Sequence, residues 1–374
     1  MGHPLGKTER SIGMIEFVGV TKKYDDGTVA VDDLSFKAPT GKITVLVGPS
    51  GCGKTTSLRM INRLIEPTSG RILLGGIDTT QTDVIQMRRE IGYVIQNAGL
   101  FPHRKVIDNI CTVPDLKKAD KKKTRDRAYE LLDIVGLGPE YANRYPWQLS
   151  GGQQQRVGVA RALAADPSYM LMDEPFSAVD PIVRKQLQDE FLRIQNTFAK
   201  TIVLVTHDIA EALKLGDYIA VFQEGGHLVQ FDEPAELLRH PKNRFISDFL
   251  GNSRGYEELS FESGNLPSET VQTISLGQNH PVGLVGEWVA VTNEEGRPIG
   301  WTHCVKDGIC TEENTTFVPV LEEHDTLKNY LDAALSSPNG RVLTERADGT
   351  LTFTRTSEVL KAVADCRKQD GSLS

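Results

Sequence analysis

Three stretches are almost unbroken in apolar and β-branched residues: Ile43-Thr44-Val45-Leu46-Val47, Ser168-Tyr169-Met170-Leu171-Met172 and Thr201-Ile202-Val203-Leu204-Val205. A strand covered on both faces reads this way, whereas a strand with one wet face alternates. The pattern predicts three strands of a buried parallel sheet. Met14-Ile15-Glu16-Phe17 and Leu34-Ser35-Phe36-Lys37 alternate instead, on either side of the turn signal Asp25-Asp26-Gly27, and predict shorter, half-covered strands. Helical spacing takes over across Thr56 to Leu64 and again across Arg125 to Leu132.

Farther along, the pattern repeats itself. Trp288 to Thr292, a turn at Asn293-Glu294-Glu295-Gly296, and Pro298 to Trp301 read as strand–turn–strand, and Arg341 to Thr344 with Leu351 to Thr354 read the same way 53 residues later. Helical stretches over Thr326–Leu335 and Ser357–Cys366 accompany these hairpins and predict a tandem α/β module. Charge marks the same division. From Tyr256 onward there are 9 Lys and Arg against 19 Asp and Glu, a net of −10, so this last third holds all the negative balance of a chain whose net charge is −8. The expected organisation is a polar extension over 1–13, a domain over 14–250, a linker at 251–255, a second domain over 256–366 and a tail over 367–374. No run of about 18 apolar residues occurs, and the first residues lack the apolar stretch of a signal peptide. Five cysteines without paired spacing suit a reducing compartment, and His303-Cys304 with Cys310 lacks the second ligand pair of a zinc site.

The first buried run leads straight into Gly48-Pro49-Ser50-Gly51-Cys52-Gly53-Lys54-Thr55-Thr56, a strand–loop–helix phosphate loop. Glycines let backbone N–H groups converge on phosphate oxygens, and the helix N-terminus adds its partial positive charge. Lys54 supplies a mobile charge for the terminal phosphates and Thr55 a hydroxyl for Mg²⁺. The second run ends in Asp173-Glu174. A carboxylate at the end of a parallel strand lies where such sheets bind ligands, so Asp173 is expected to serve Mg²⁺ and Glu174 to take a proton from attacking water. The third run ends in Thr206-His207-Asp208, which places His207 by the γ-phosphate. Leu149-Ser150-Gly151-Gly152-Gln153, about 20 residues before Asp173, has no phosphate of its own to hold and implies a nucleotide shared between two such domains.

Together these motifs resemble the ATPase subunit of ABC transporters over residues 14 to about 250. The resemblance implies an α/β P-loop NTPase fold with antiparallel β and helical subdomains, the helical one over about 97–165. It implies that Tyr24 stacks on adenine and that Gln96 touches Mg²⁺ beside the groove for a membrane subunit. Ser150, Gly151, Gly152 and Gln153 would serve the ATP of the other protomer, and Ser177-Ala178-Val179-Asp180 would join the two halves, with Val179 where Leu is more usual. Met60 to Gly70, Ile91 to Gln96, Gly99 to His103 and Arg144 to Gln148 look like the quaternary-amine uptake group, whose solutes are glycine betaine, choline, carnitine or proline. Arg104-Lys105 departs from the Met-Thr more common there.

The acidic module resembles a degenerate pair of CBS domains, the first copy lacking a clear leading helix, and the resemblance implies regulation by ionic strength or an adenine nucleotide. An all-β appendage is its structural competitor. The expected setting is a homodimer or paired ATPase at the cytoplasmic face of the membrane, with two permease subunits and, indirectly, an extracytoplasmic solute-binding protein. Importers of amino acids and soluble ABC ATPases are the alternatives. The basic run Lys117 to Lys123 is brief in an acidic chain and reads as a solvated face, not a nucleic-acid site.

Overall fold

In the computed structural model, which describes residues 13–369 apart from 97, 178, 252 and 307, the three buried runs lie side by side. The first twelve residues of the predicted extension and the last five of the predicted tail lie outside the described residues. Two units divide the chain, residues 1–250 and 251–374.

The first unit runs through β1 (Ile15–Lys23), β2 (Val29–Ala38), β3 (Ile43–Val47), α1 (Lys54–Ile61), β4 (Ser69–Leu74), β5 (Ile77–Asp78), α2 (Val84–Arg89) and β6 (Ile91–Val94). It continues through α3 (Val106–Ile110), α4 (Thr112–Leu116), α5 (Lys121–Ile134), α6 (Gly151–Leu163), β7 (Tyr169–Asp173), α7 (Pro181–Phe198) and β8 (Thr201–Val205), then α8 (Ile209–Leu215), β9 (Tyr218–Gln223), β10 (His227–Asp232), α9 (Pro234–Arg239) and α10 (Arg244–Leu250). Six strands form one sheet in the order β10-β9-β3-β8-β7-β6, parallel but for β10. Alternate side chains of its strands serve two cores. Val45, Met172 and Leu204 pack with the helices α3, α5 and α6, whereas Leu46, Leu171 and Val203 pack against the antiparallel sheet β2-β1-β4-β5. Burial on both faces explains why those strands show no alternation in sequence. Helix α1 starts two residues before the predicted Thr56 and stops at Ile61, because Asn62 leaves helical geometry and Arg63 takes a left-handed φ of 55°. The run Lys117 to Lys123 is divided by Asp120, whose side chain caps α5.

The second unit consists of α11 (Arg254–Glu258), β11 (Glu269–Thr270), β12 (Thr273–Ser275), β13 (Trp288–Thr292), β14 (Pro298–His303), β15 (Thr315–Phe317), β16 (Val320–Glu322), α12 (Leu327–Ser336), β17 (Arg341–Glu345), β18 (Leu351–Arg355) and α13 (Thr356–Gln369). Helix α11 takes in Arg254 and Gly255, which the predicted linker includes. The two hairpins stand in separate sheets, β12-β13-β14-β15 and β11-β18-β17-β16. Each sheet pairs a parallel neighbour, β12 on β13 or β16 on β17, with the hairpin that follows. Its fourth strand comes from the other copy: β11 precedes the first hairpin but pairs with β18, and β15 precedes the second but pairs with β14. The copies are therefore strand-exchanged. Both predicted helices belong to the second copy. A short 3₁₀ turn at Val282–Leu284 stands in the first copy where α12 stands in the second, so the first copy has no leading helix among its described residues, as its sequence reads.

Ala290 and Leu343, equivalent positions 53 residues apart, are fully buried with Trp301 and Phe353, whose rings meet edge to face at 6.4 Å. Truncating Trp301 to Ala is expected to cost about 3–5 kcal/mol by opening a cavity. Chemical unfolding of this variant should lose stability in a transition that bound ATP does not shift. A variant as stable as its parent would remove Trp301 from the core's energetics.

Candidate nucleotide site

Strand register builds the site. Leu46 of β3 pairs with Val205 of β8, and Val205 pairs with Asp173 of β7, so β7 and β8 finish in one row and β3 one residue beyond it. Val94, the last residue of β6, lies one row back beside Met172. Whatever follows each strand is thus delivered to the same sheet edge: the glycine loop, Glu174, Thr206-His207 and Gln96.

The loop wraps the start of α1. Lys54 is buried, and its Nζ donates to the carbonyl oxygens of Gly48 at 2.8 Å and Pro49 at 2.7 Å and lies 3.5 Å from Cys52 Sγ. A phosphate oxygen competes for the same donors with a full charge, which makes the charged acceptor the stronger partner. Burial pushes the Cys52 thiol up, against the pull of Lys54, which keeps it protonated.

Thr55 Oγ1 donates to Asp173 Oδ1 at 3.0 Å, and Arg59 Nη2 lies 3.8 Å from Asp173 Oδ2. Burial raises the Asp173 carboxyl above its ordinary range, and the Thr55 bond and the Arg59 charge oppose that rise. Hydroxyl and carboxylate oxygens side by side are the hard donors that Mg²⁺ accepts, alongside water and substrate phosphates. The residues present fit that ion.

Glu174 adopts a left-handed φ of 46°, a backbone state that costs about 1–3 kcal/mol and concentrates at active sites. Its N–H donates to the Val205 carbonyl at 3.0 Å, which fixes the turn. Its carboxylate is approached from both sides. Gln96 Nε2 donates to Oε2 at 3.0 Å, and His207 Nδ1 lies 3.2 Å from Oε1. With its amide nitrogen on Glu174, Gln96 leaves its amide oxygen as the atom able to meet a cation.

A cavity of about 270 Å³ lies here, lined by Ser50 to Thr56, Glu174, His207 and Ala30. Two groups of predicted residues behave differently. Tyr24 is exposed, with the Lys22 ammonium 5.2 Å from its ring centroid. Ser150, Gly151, Gly152 and Gln153 open α6, where Ser150 Oγ accepts from the Gln153 N–H at 3.3 Å and Gln153 Oε1 accepts from the Ser150 N–H at 3.0 Å. Among the described residues, no hydrogen bond joins this turn to the phosphate loop. Sequence reading passed over Ala30, which lines the cavity, and Arg59, whose charge lies beside Asp173. Arg59 had a signal: it follows Thr55 by four residues on α1 and so shares its face.

The ABC transporter family model matches residues 31–177. The carnitine transport ATP-binding protein OpuCA of Listeria monocytogenes is 42% identical over 335 residues, covering 90% of this chain and 79% of that protein. The osmoprotectant import ATP-binding protein OsmV of Salmonella typhimurium is 42% identical over 341 residues, 87% of this chain and 89% of that protein. A solved dimeric structure of the ATP-binding cassette MJ0796, in a post-hydrolysis state bound to ADP and Pi, superposes with a TM-score of 0.55 at 32% identity, over 59% of this chain and 98% of that one.

Proposed function

This chain belongs to the family of ABC transporter ATP-binding subunits, in its osmoprotectant-import branch, and we propose that its ATP hydrolysis drives uptake of a quaternary-amine solute such as glycine betaine, choline, carnitine or proline. The observation that carries the chemistry is the Glu174 carboxylate, gripped by Gln96 and His207 at the mouth of the phosphate loop. Glu174 takes the proton of the attacking water, while His207 and Gln96 hold that carboxylate and sense the γ-phosphate. Lys54 and the backbone N–H groups of Gly48 to Thr56 bind the phosphates, and Tyr24 offers its exposed ring to adenine. Thr55, Asp173 and Gln96 would hold Mg²⁺, which neutralises charge on the phosphates.

Two subunits close over two ATP molecules, each held by one phosphate loop and the partner's Ser150-Gly151-Gly152-Gln153. The free capping turn of this chain and the dimeric relative bound to ADP and Pi support that reading. No helix among the described residues is long and apolar enough to cross a membrane, so the proposed site of action is peripheral, on two permease subunits at the cytoplasmic face, with a solute-binding protein outside. Uptake of labelled glycine betaine, choline, carnitine and proline into vesicles holding the chain with its permease should require ATP. Uptake of amino acids other than proline, with none of these four, would overturn the solute assignment.

The strand-exchanged repeat supports reading the second unit as a degenerate CBS pair, and the net charge of −10 from Tyr256 onward suits a sensor of ionic strength, because salt screens such repulsion over roughly 8–10 Å. Removing residues 256–374 is expected to flatten the salt dependence of transport-coupled ATPase. An unchanged salt profile in the shortened chain would sink the sensing idea, and a response to added adenine nucleotide that vanishes with the unit would make a nucleotide the signal.

A further inference from the structure

Glu211, the third residue of α8, is a buried carboxylate that the chemistry above leaves without a task. It is 7% exposed, and burial pushes its pKa up against the hydrogen bonds it receives. Gln188 of α7, equally buried, donates Nε2 to Glu211 Oε1 at 2.9 Å. Thr206, the residue just before His207, accepts the Asp208 N–H at its hydroxyl at 3.1 Å, and Asp208 Oδ1 in turn accepts the Glu211 N–H at 3.3 Å. On α7, one turn before Gln188, Arg184 lends its charge to Glu211 and donates Nη2 to the Val179 carbonyl at 3.1 Å. Asp180 caps that helix through the Val183 N–H at 3.1 Å, and Asp208 caps α8 through the N–H groups of Ala210 and Glu211. A single buried side chain therefore lies between two loops: Thr206-His207, at the cavity, and Val179-Asp180, at the head of α7.

A buried carboxylate carries a desolvation cost that an apolar residue of the same volume escapes, so stability alone does not explain it. We propose that Glu211 is a positioning residue that makes the His207 loop and the Val179-Asp180 segment move as one body, transmitting γ-phosphate contact at one site to the segment facing the partner subunit. The inference rests on the reading of this chain as one half of an ATP-closed pair. Displacement of Thr206 and His207 toward a phosphate draws, by way of Asp208, on Glu211 at the start of α8, and through the Gln188 bond it reaches α7, whose Arg184 holds the Val179 carbonyl. Two elements joined through a bonded buried charge shift together, because breaking the pair leaves that charge without partners.

Four variants of the full chain test this: Glu211→Ala, Gln188→Ala, their combination, and the exchange Glu211→Gln with Gln188→Glu, which rebuilds the bond with donor and acceptor reversed. Affinity for a fluorescent ATP analogue, kcat, KM, the Hill coefficient for ATP and thermal unfolding are read for each. Glu211→Ala is expected to keep ATP affinity within about twofold while kcat falls about tenfold and cooperativity declines. Gln188→Ala should show a smaller change of the same kind, the combination should be no worse than Glu211→Ala, and the exchange should recover most of the lost turnover. A folded Glu211→Ala with parental kcat and cooperativity overturns the proposal, as do strictly additive losses or a fall in ATP affinity that matches the fall in kcat. Should Glu211→Ala fail to fold, Gln188→Ala decides by the same criteria. A parent chain without turnover would overturn the ATPase-pair reading and this inference with it, whereas an active parent indifferent to these changes overturns the coupling alone.

Discussion

Glu174→Gln is expected to bind ATP as tightly as the parent and to hydrolyse it about 10²- to 10⁴-fold more slowly, the range that a positioned general base supplies. Gln matches Glu in shape, so the left-handed turn fixed by the Val205 carbonyl survives, and an amide oxygen can still accept the 3.0 Å bond from Gln96. What disappears is the charge between Gln96 and His207 and the ability to take a proton. Binding rests on Lys54 and the loop, which the change does not touch. Steady-state phosphate release reads the first effect, and size-exclusion chromatography in ATP reads the second, as an accumulating dimer that cannot reopen. Near-parental turnover in a folded Glu174→Gln would remove Glu174 as the base. His207→Ala would then become the next variant to test, since its Nδ1 lies 3.2 Å from the same carboxylate.

Much of this site could be read directly from the sequence because its parts are local. A buried strand followed by a glycine loop, Lys54 and Thr55 needs only the thirteen consecutive residues Ile43 to Thr55 to declare itself, and each remaining strand end carries its own signal in Asp173-Glu174 or Thr206-His207. Register is not local. That Leu46, Val205 and Asp173 fall in one row depends on pairings across about 30 residues between β7 and β8 and about 160 between β3 and β8, and no pattern within any one strand states it. The grip of Gln96 and His207 on Glu174 follows from that pairing, as does the bond from Thr55 to Asp173. The strained φ of Glu174 was hidden for another reason: Glu has no preference for the left-handed region, so only the fold that imposes it reveals it. In the second unit the hairpins were legible by their repetition, but the exchange of β11 and β15 was not. Two- and three-residue strands carry too little sequence to choose a partner, and the chain between them is long enough to reach either sheet.

Gly53→Ala is expected to abolish nucleotide binding at concentrations where Gly51→Ala still binds, although the two glycines share nearly the same backbone. Gly53 has φ 92° and Gly51 φ 80°, so an Ala at either position pays a left-handed penalty of about 1–2 kcal/mol. Their surroundings separate them. A Cβ on Gly51 meets nothing within 4 Å, whereas on Gly53 it would stand 2.1 Å from the Ala30 carbonyl oxygen and 3.2 Å from Val31 Cγ2. Ala30 belongs to β2, and its backbone cannot yield without disturbing the pairing of that strand with β1. The loop must move instead. Gly53 is the residue from which α1 starts, so its movement carries off the N–H groups and Lys54 together, and ATP affinity should fall by at least about 10²-fold, as expected when several charge-assisted bonds are lost at once. Stability should fall by about 2–4 kcal/mol, the sum of the conformational penalty and a steric one. Fluorescent-ATP titration and denaturant unfolding of both variants measure the contrast. Equal losses at the two positions would show that conformation alone governs this loop, and the close approach of Ala30 would then have no part in shaping it.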